Sequence, residues 1–343
     1  MSGSRGRTRD RQGSMQDDAA MPLMNRAAIA ALQARVAARV IGGGHLVRGL
    51  ITALLADGHV LIDGPPGFAK TRAVTALADA LEVTFRRVVL GPGQRMAHIF
   101  GAAASVAEPL ASRGREPDTS FANILLAEGL DGAAPEVRLA LLDAMTERQV
   151  VIDGITIRSP GVFFVCATRT MAHGLASVET LGPGERDRFL LHLRVAYPDE
   201  AQERRMLDLL HAESAPAATR TPTRLPLATI IAARAGVHAV RTGPRPMRWI
   251  TALVGATRSG DPTGNGPARW IRGGVGPRGS IALERCARAH AWLSGRRQVS
   301  ERDIVAVAHD VLRHRLDLSD AAKDAGITAD AVITELLALN HPR

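Results

Sequence analysis

The sequence has 343 residues, long enough for two domains around a real core, and 46% of them are hydrophobic. No apolar run approaches the roughly 18 residues of a membrane span, and two cysteines, Cys166 and Cys286, give no disulfide framework, so a cytoplasmic protein is expected. The net charge of +9 permits contact with nucleic acid, yet Arg is mixed with acids along the whole chain and aromatics are only 3%, too few for stacking platforms. Nucleic acid is therefore not the expected partner.

Residues 1–24, beginning "MSGSRGRTRDRQGSMQDDAA", carry Arg and Ser without an apolar stretch and read as a disordered tail, not a signal peptide. "NRAAIAALQARVAARV" has helical spacing and is broken at Gly42 to Gly44. "HLVRGLITALLADG" is a second helix, with Gly58 as its expected stop. "HVLIDG" reads as a buried strand, "TRAVTALADALEV" as a helix and "FRRVVLG" as a second strand. A loop-rich stretch precedes a third strand, "FANILLAEG", and the helix "PEVRLALLDAMTERQ". "VVIDGITIRS" has the pattern of a hairpin turning at Asp153-Gly154. "GVFFVCAT" and "FLLHLRVAYP" supply the fourth and fifth strands. Strands alternating with helices predict a parallel sheet covered on both faces, an α/β domain over 25–198.

After Pro198 the strand signals stop. Helices are predicted in "DEAQERRMLDLLHA", "PLATIIAARAG", "PRPMRWITALVGATR", "PRGSIALERCARAHAWLSG" and "ERDIVAVAHDVLRHRL". "HAESAPAATRTPTRLP" reads as a linker and "RSGDPTGNGPARWIRGG" as a Gly/Pro-rich loop, which makes 199–343 an all-helical second domain. Trp249, Trp270 and Trp292 are expected to pack it, and "RHRL" at Arg313 to Leu316 reads as a solvated helix end. His309 and His314 lie off one helical face and form no metal pattern, and Cys166 is expected in the core.

The stretch "DGPPGFAKT", Asp63 to Thr71, carries the chemistry. It fits G-x-x-x-x-G-K-[ST] at Gly64, Lys70 and Thr71, with Ala69 in place of the second Gly, and it lies between a strand and a helix as that motif requires. The backbone of Gly64, Pro65, Pro66, Gly67, Phe68 and Ala69 would cradle phosphates, Lys70 would reach the β- and γ-phosphates, and Thr71 would ligate Mg²⁺. Lysine occurs only at positions 70 and 323 in a chain otherwise rich in Arg, and a compact ammonium in a narrow loop is a place where a planar guanidinium substitutes poorly.

"GHVLIDGPPGFAKTRAVTALADAL", "FANILLAEGLDGAAPEVRLALLDAMTERQVVIDG", "PGVFFVCAT", "RDRFLLHLRVAYP" and "GGVGPRGSIAL" together resemble, in order, the AAA+ ATPases of the MoxR group over roughly Val40 to Leu316. The resemblance implies a P-loop NTPase αβα sandwich with a helical lid, ATP and Mg²⁺ as ligands, and hydrolysis of ATP to ADP and phosphate. It also implies a ring, expected to be hexameric, and a von Willebrand factor A domain partner with which such proteins remodel or mature others. By the same resemblance Arg188 is the arginine finger, with Arg186 a second candidate nearby, and Arg278 is the lid's sensor Arg.

Three positions depart from the family pattern. Glu128 stands where the family has the metal-orienting Asp, and Gly129 where it has the catalytic Glu. Thr170 stands where it has a water-positioning Asn. Loss of a positioned general base costs about 10²–10⁴ in rate. Asp131 is the nearest acid that could substitute. The expectation is a nucleotide-binding remodeller with weakened hydrolysis. The alternatives are a pseudo-ATPase serving as a switch or structural ring member, and a DNA-associated motor supported only by the basic charge.

Overall fold

The computed structural model describes residues 24–67, 69–91, 93–94, 96–100, 121–152, 154–170, 181–214, 223–258 and 266–340. The predicted tail up to residue 23, Phe68, Asp153, the centre of the predicted linker (215–222) and part of the Gly/Pro-rich loop (259–265) lie outside that set, as does the side chain of Thr170.

The described chain opens with a helix over 24–38, α1, and α2 (Gly44–Leu55). An α/β run follows: β1 (Val60–Gly64), α3 (Ala69–Asp79), β2 (Phe85–Val89), α4 (Met96–Phe100), β3 (Ile124–Glu128) and α5 (Pro135–Glu147). It continues through the hairpin β4 (Gln149–Ile152) and β5 (Ile155–Arg158), then β6 (Phe164–Thr170), α6 (Pro183–Arg186) and β7 (Leu191–Arg194). β1, β2, β3, β6 and β7 form one sheet in the order β2-β3-β6-β1-β7, with every neighbour parallel.

The near-continuous apolar strands bury both faces, as a covered parallel sheet requires. Alternation divides them: Val60, Ile62, Leu126 and Cys166 join an apolar cluster with α1, α2 and α3, while Leu61, Leu125, Ala127 and Val165 join another with α4 and α5. The first cluster runs on into the helices that follow, α7 (Glu200–Ser214) and α12 (Asp320–Asp324) excepted: α8 (Leu227–His238), α9 (Pro244–Ala256), α10 (Pro277–Leu293), α11 (Glu301–Leu312) and α13 (Ala329–Leu339). Trp249 and Trp292 are buried in it and Trp270 packs against it.

Four sequence expectations are corrected. The stop of α2 is not Gly58: Asp57 takes the left-handed conformation (φ 54°), and the Gly58 N–H returns to the Ala53 carbonyl at 3.0 Å. Glycine suits position 58 because a Cβ there would run into Leu190. Strands do continue past Pro198, where β8 (Ile271–Gly273) pairs antiparallel with β9 (Asp317–Leu318). They are too short to show a period. α12 (Asp320–Asp324) and α13 extend the helical part, started by side-chain caps from Ser319 and Thr328. Finally, Arg313 to Leu316 is not a solvated end: His314 and Leu316 are buried, and the Arg315 side chain is 3% exposed.

Candidate nucleotide site and arginine recess

β1 is the inner strand between β6 and β7, and its connection leads through α3 to β2 at the far edge. The C-terminal end of β1 is thus a topological switch point, where open α/β sheets bind ligands. Gly64 ends the strand, and a Cβ on it would stand 2.8 Å from the Val195 carbonyl oxygen. Gly67 has φ 145°, open only to a residue without a side chain. The first turn of α3 follows without an acidic residue, leaving its amide dipoles free for an anion. The Lys70 ammonium curls along the loop and donates to the carbonyls of Gly64 (2.5 Å) and Pro65 (2.7 Å). Burial lowers its pKa, while Asp63, Asp131 and Glu128 pull the other way.

Register brings the remaining candidates to the same edge. Gly64 lies opposite Thr170 across β1 and β6, and Glu128 opposite Thr168 across β3 and β6. The Thr71 hydroxyl donates to Glu128 Oε1, and Arg87, one strand over on β2, donates to Oε2 at 2.9 Å from Nε. Directly after Glu128 the chain turns: Gly129 is left-handed (φ 73°), its N–H lies 3.4 Å from Thr168 Oγ1, and a short 3₁₀ turn, Leu130–Gly132, carries Asp131. Gly129 offers no group to a water. The loop fits a polyphosphate, since Gly67 at φ 145° turns the chain into the first turn of α3, where no acidic side chain opposes an anion. The hydroxyl of Thr71 and the carboxylate of Glu128 are hard oxygen donors fit for Mg²⁺, although Arg87 shares the carboxylate.

A pocket of about 710 Å³ adjoins the loop. Its walls are Pro65 to Gly67 and Lys70, the turn Ile41 to Gly43, the segment Val195 to Pro198, and Met206, Leu207 and Leu210 of α7. None of α7 is buried, so the helix lies over the pocket as a cover. Sequence reasoning missed these walls, since plain apolar residues from three distant segments carry no motif.

Beneath the loop, Asp63 is buried and accepts from Arg169 Nε (2.8 Å) and His192 Nε2 (2.7 Å), which together hold its carboxyl well below the usual range despite burial.

Arg188 and Arg278 do not line the pocket of the phosphate loop. They share a second recess, of about 310 Å³, with Arg148, Arg285 and Arg315. Arg188 pairs with Asp143, on α5, and Arg278 lies 3.6 Å from Asp187. Arg148 pairs with Asp57 at 2.7 Å, and Arg285 donates to the Ala56 and Asp57 carbonyls. Arg186 is no part of this recess. It is half-buried, and Arg169, Asp63 and Asp317 bear on its charge. The two candidate fingers are thus separated by where they point. His59 lies at the recess, fully buried, with Nδ1 accepting from the Val165 N–H (3.0 Å) and Nε2 donating to the Met145 carbonyl (3.2 Å). Burial drops its pKa to about 3.

The sheet order, the phosphate loop at its switch point and the helical lid define a P-loop ATPase fold of the AAA+ kind. Residues 59–191 match the ATPase family associated with various cellular activities (AAA), and residues 268–336 match the AAA lid domain. The chain is 34% identical over 306 residues to the chaperone MoxR1 of Mycobacterium tuberculosis, an alignment covering 87% of this chain and 78% of that one. It is 34% identical to YeaC of Bacillus subtilis over 84% of this chain and 86% of that one. It is 31% identical to MoxR of Paracoccus denitrificans, over 82% and 86%. A crystal structure from Cytophaga hutchinsonii shares the fold, with TM-score 0.82, 24% identity, and coverage of 95% of this chain and 98% of that one. The chain belongs to the MoxR group of AAA+ ATPases.

Proposed function

We propose that this protein binds ATP with Mg²⁺ at the Lys70 loop, assembles with copies of itself into a ring, and remodels a partner protein while hydrolysing ATP slowly. Support for the grip comes from the loop geometry. Lys70 and the backbone N–H groups that follow the two prolines, from Gly67 to Thr71, would hold the phosphates, and Thr71 and Glu128 would hold the metal, whose role is to neutralise phosphate charge. Slow hydrolysis rests on one observation, the left-handed Gly129 directly after Glu128. The position has no carboxylate, and the chain turns away before Asp131. Thr170 in place of Asn works in the same direction.

Arg188 and Arg278 sit together and away from the pocket of their own loop. This favours their serving the phosphates of a neighbouring copy, Arg188 as the finger. Guanidinium groups so placed stabilise phosphate charge and report the nucleotide across the boundary. A chaperone role agrees with the printed name of the mycobacterial relative. The resemblance supplies a von Willebrand factor A domain protein as the partner and a hexamer as the ring. We further propose that 25–198 is the nucleotide-binding core and 199–343 the lid, in the cytoplasm.

Sedimentation with and without ATP and Mg²⁺ tests the reading. Nucleotide-promoted assembly that Arg188→Ala weakens is expected, and a protein that stays monomeric under all conditions contradicts it.

A further inference from the structure

The finger turn is held from the lid. Between α11 and β9 the chain passes through Arg313, His314 and Arg315, three residues whose charge or polarity would place them in solvent, yet all three turn inward. The Arg315 side chain is almost wholly buried and wraps the segment Asp187 to Leu190: Nε meets Asp187 Oδ1 at 2.8 Å, Nη2 meets the Phe189 carbonyl at 2.6 Å, and Nη1 meets the Leu190 carbonyl at 3.2 Å. His314 Nε2 donates to the same Phe189 carbonyl at 3.0 Å. Arg188 lies inside this wrapped segment, and its own side chain makes an ion pair only at the rim, with Asp143. A buried guanidinium costs several kcal/mol to desolvate unless its donors are met. Here they are met by the finger turn and by the Val311 carbonyl of α11, so Arg315 ties that turn to the end of the helix.

The contacts continue inward. The His314 ring packs edge-on against His192 at 5.7 Å between centroids, and His192 binds Asp63 at the base of the phosphate loop. Arg313 donates to the His192 carbonyl at 2.6 Å.

From this packing we propose that Arg315 is the positioning residue of the arginine finger: it fixes the Arg188 turn to the lid, so that Arg188 reaches a neighbouring copy only while the lid holds it. The proposal rests on the reading of Arg188 given above. It is tested by sedimentation of the full chain in ATP and Mg²⁺, with ATP affinity measured by calorimetry on each variant. Arg188→Ala is expected to shift the protein concentration at half-assembly upward by about 10-fold, the size of one charge-assisted contact. Arg315→Ala is expected to give a similar shift with ATP binding at its own loop kept. The double variant should be no worse than Arg188→Ala alone, because the two act as one unit. Arg315→Lys keeps the charge opposite Asp187 without the planar fork that spans the carbonyls. It is expected to fold and still show the shift, and it decides the matter should Arg315→Ala fail to fold. Wild-type assembly by Arg315→Lys, or an effect that adds to that of Arg188→Ala, overturns the proposal and leaves the finger reading standing. No effect of Arg188→Ala overturns both.

Discussion

At the phosphate loop the charges are already matched within the chain: Asp63 with Arg169 and His192, Glu128 with Arg87 and Thr71, and the Lys70 ammonium with loop carbonyls. In the second recess they are not, since the five guanidiniums of Arg148, Arg188, Arg278, Arg285 and Arg315 have three carboxylates beside them, Asp57, Asp143 and Asp187. A hollow whose guanidiniums outnumber its carboxylates calls for an anion from outside. A hollow lined by a glycine cradle and one ammonium is shaped to carry one. Under the function proposed above, the difference makes the two hollows complementary halves of one site between copies, with Gly129 offering no acid to activate water there.

The strongest way to break this comparison is at Lys70. Lys70→Ala removes the only side-chain cation that the loop offers to phosphate. ATP affinity measured by calorimetry is expected to fall by about 10²-fold, about 3 kcal/mol, the upper range for a hydrogen bond to a charged group.

Acid sharpens it next. His59, at the recess, has its folded pKa dropped to about 3 by burial, below the ordinary 6.5. The unfolded chain therefore binds the proton first, so this contribution is present above pH 6.5 and is lost as pH falls toward 3. Between pH 7 and 5 the loss is about 2 kcal/mol. Denaturant unfolding at the two pH values should show that difference shrinking in His59→Gln, whose amide can both accept and donate. His314, buried and also shifted down, adds in the same direction. Asp63, held below the usual range, keeps its charge across this window, so the base of the phosphate loop should be spared.

Gly129→Glu has a smaller, two-sided effect. A side chain at φ 73° costs about 1 kcal/mol or somewhat more, read as a drop in unfolding free energy. The restored carboxylate should raise turnover only partly, because the backbone there aims it differently from an extended residue. Smallest of all is Asp143→Ala, which breaks the exposed pair with Arg188. It should change stability by less than about 0.5 kcal/mol and leave nucleotide-promoted assembly intact, since Arg188 is only released.

The strands, their order along the chain and the phosphate loop were legible because apolar runs, Gly/Pro punctuation and the lone lysine each have a local cause. The glycine at 129 was legible too, as a departure from the pattern that the resemblance implies. Its left-handed turn was not, because glycine permits that conformation without announcing it. The pocket walls at Ile41 to Gly43 and on α7 could not be read, as their meaning arises only when β1 and β7 bring them together. Arg313 to Arg315 misled most. Charged residues after a helix look solvated, and only the carbonyls of a turn more than 120 residues earlier in the chain explain their burial. The same turn separates Arg188 from Arg186, which sequence left as alternatives.

The account is tested most directly by ATP binding and phosphate release measured on one preparation of the wild-type protein, beside Lys70→Ala and Gly129→Glu. Firm binding that Lys70→Ala removes, with release at least about 10²-fold below that of an ATPase holding a positioned base and raised by Gly129→Glu, is the expected result. Brisk release that Lys70→Ala abolishes and Gly129→Glu leaves unchanged would contradict it.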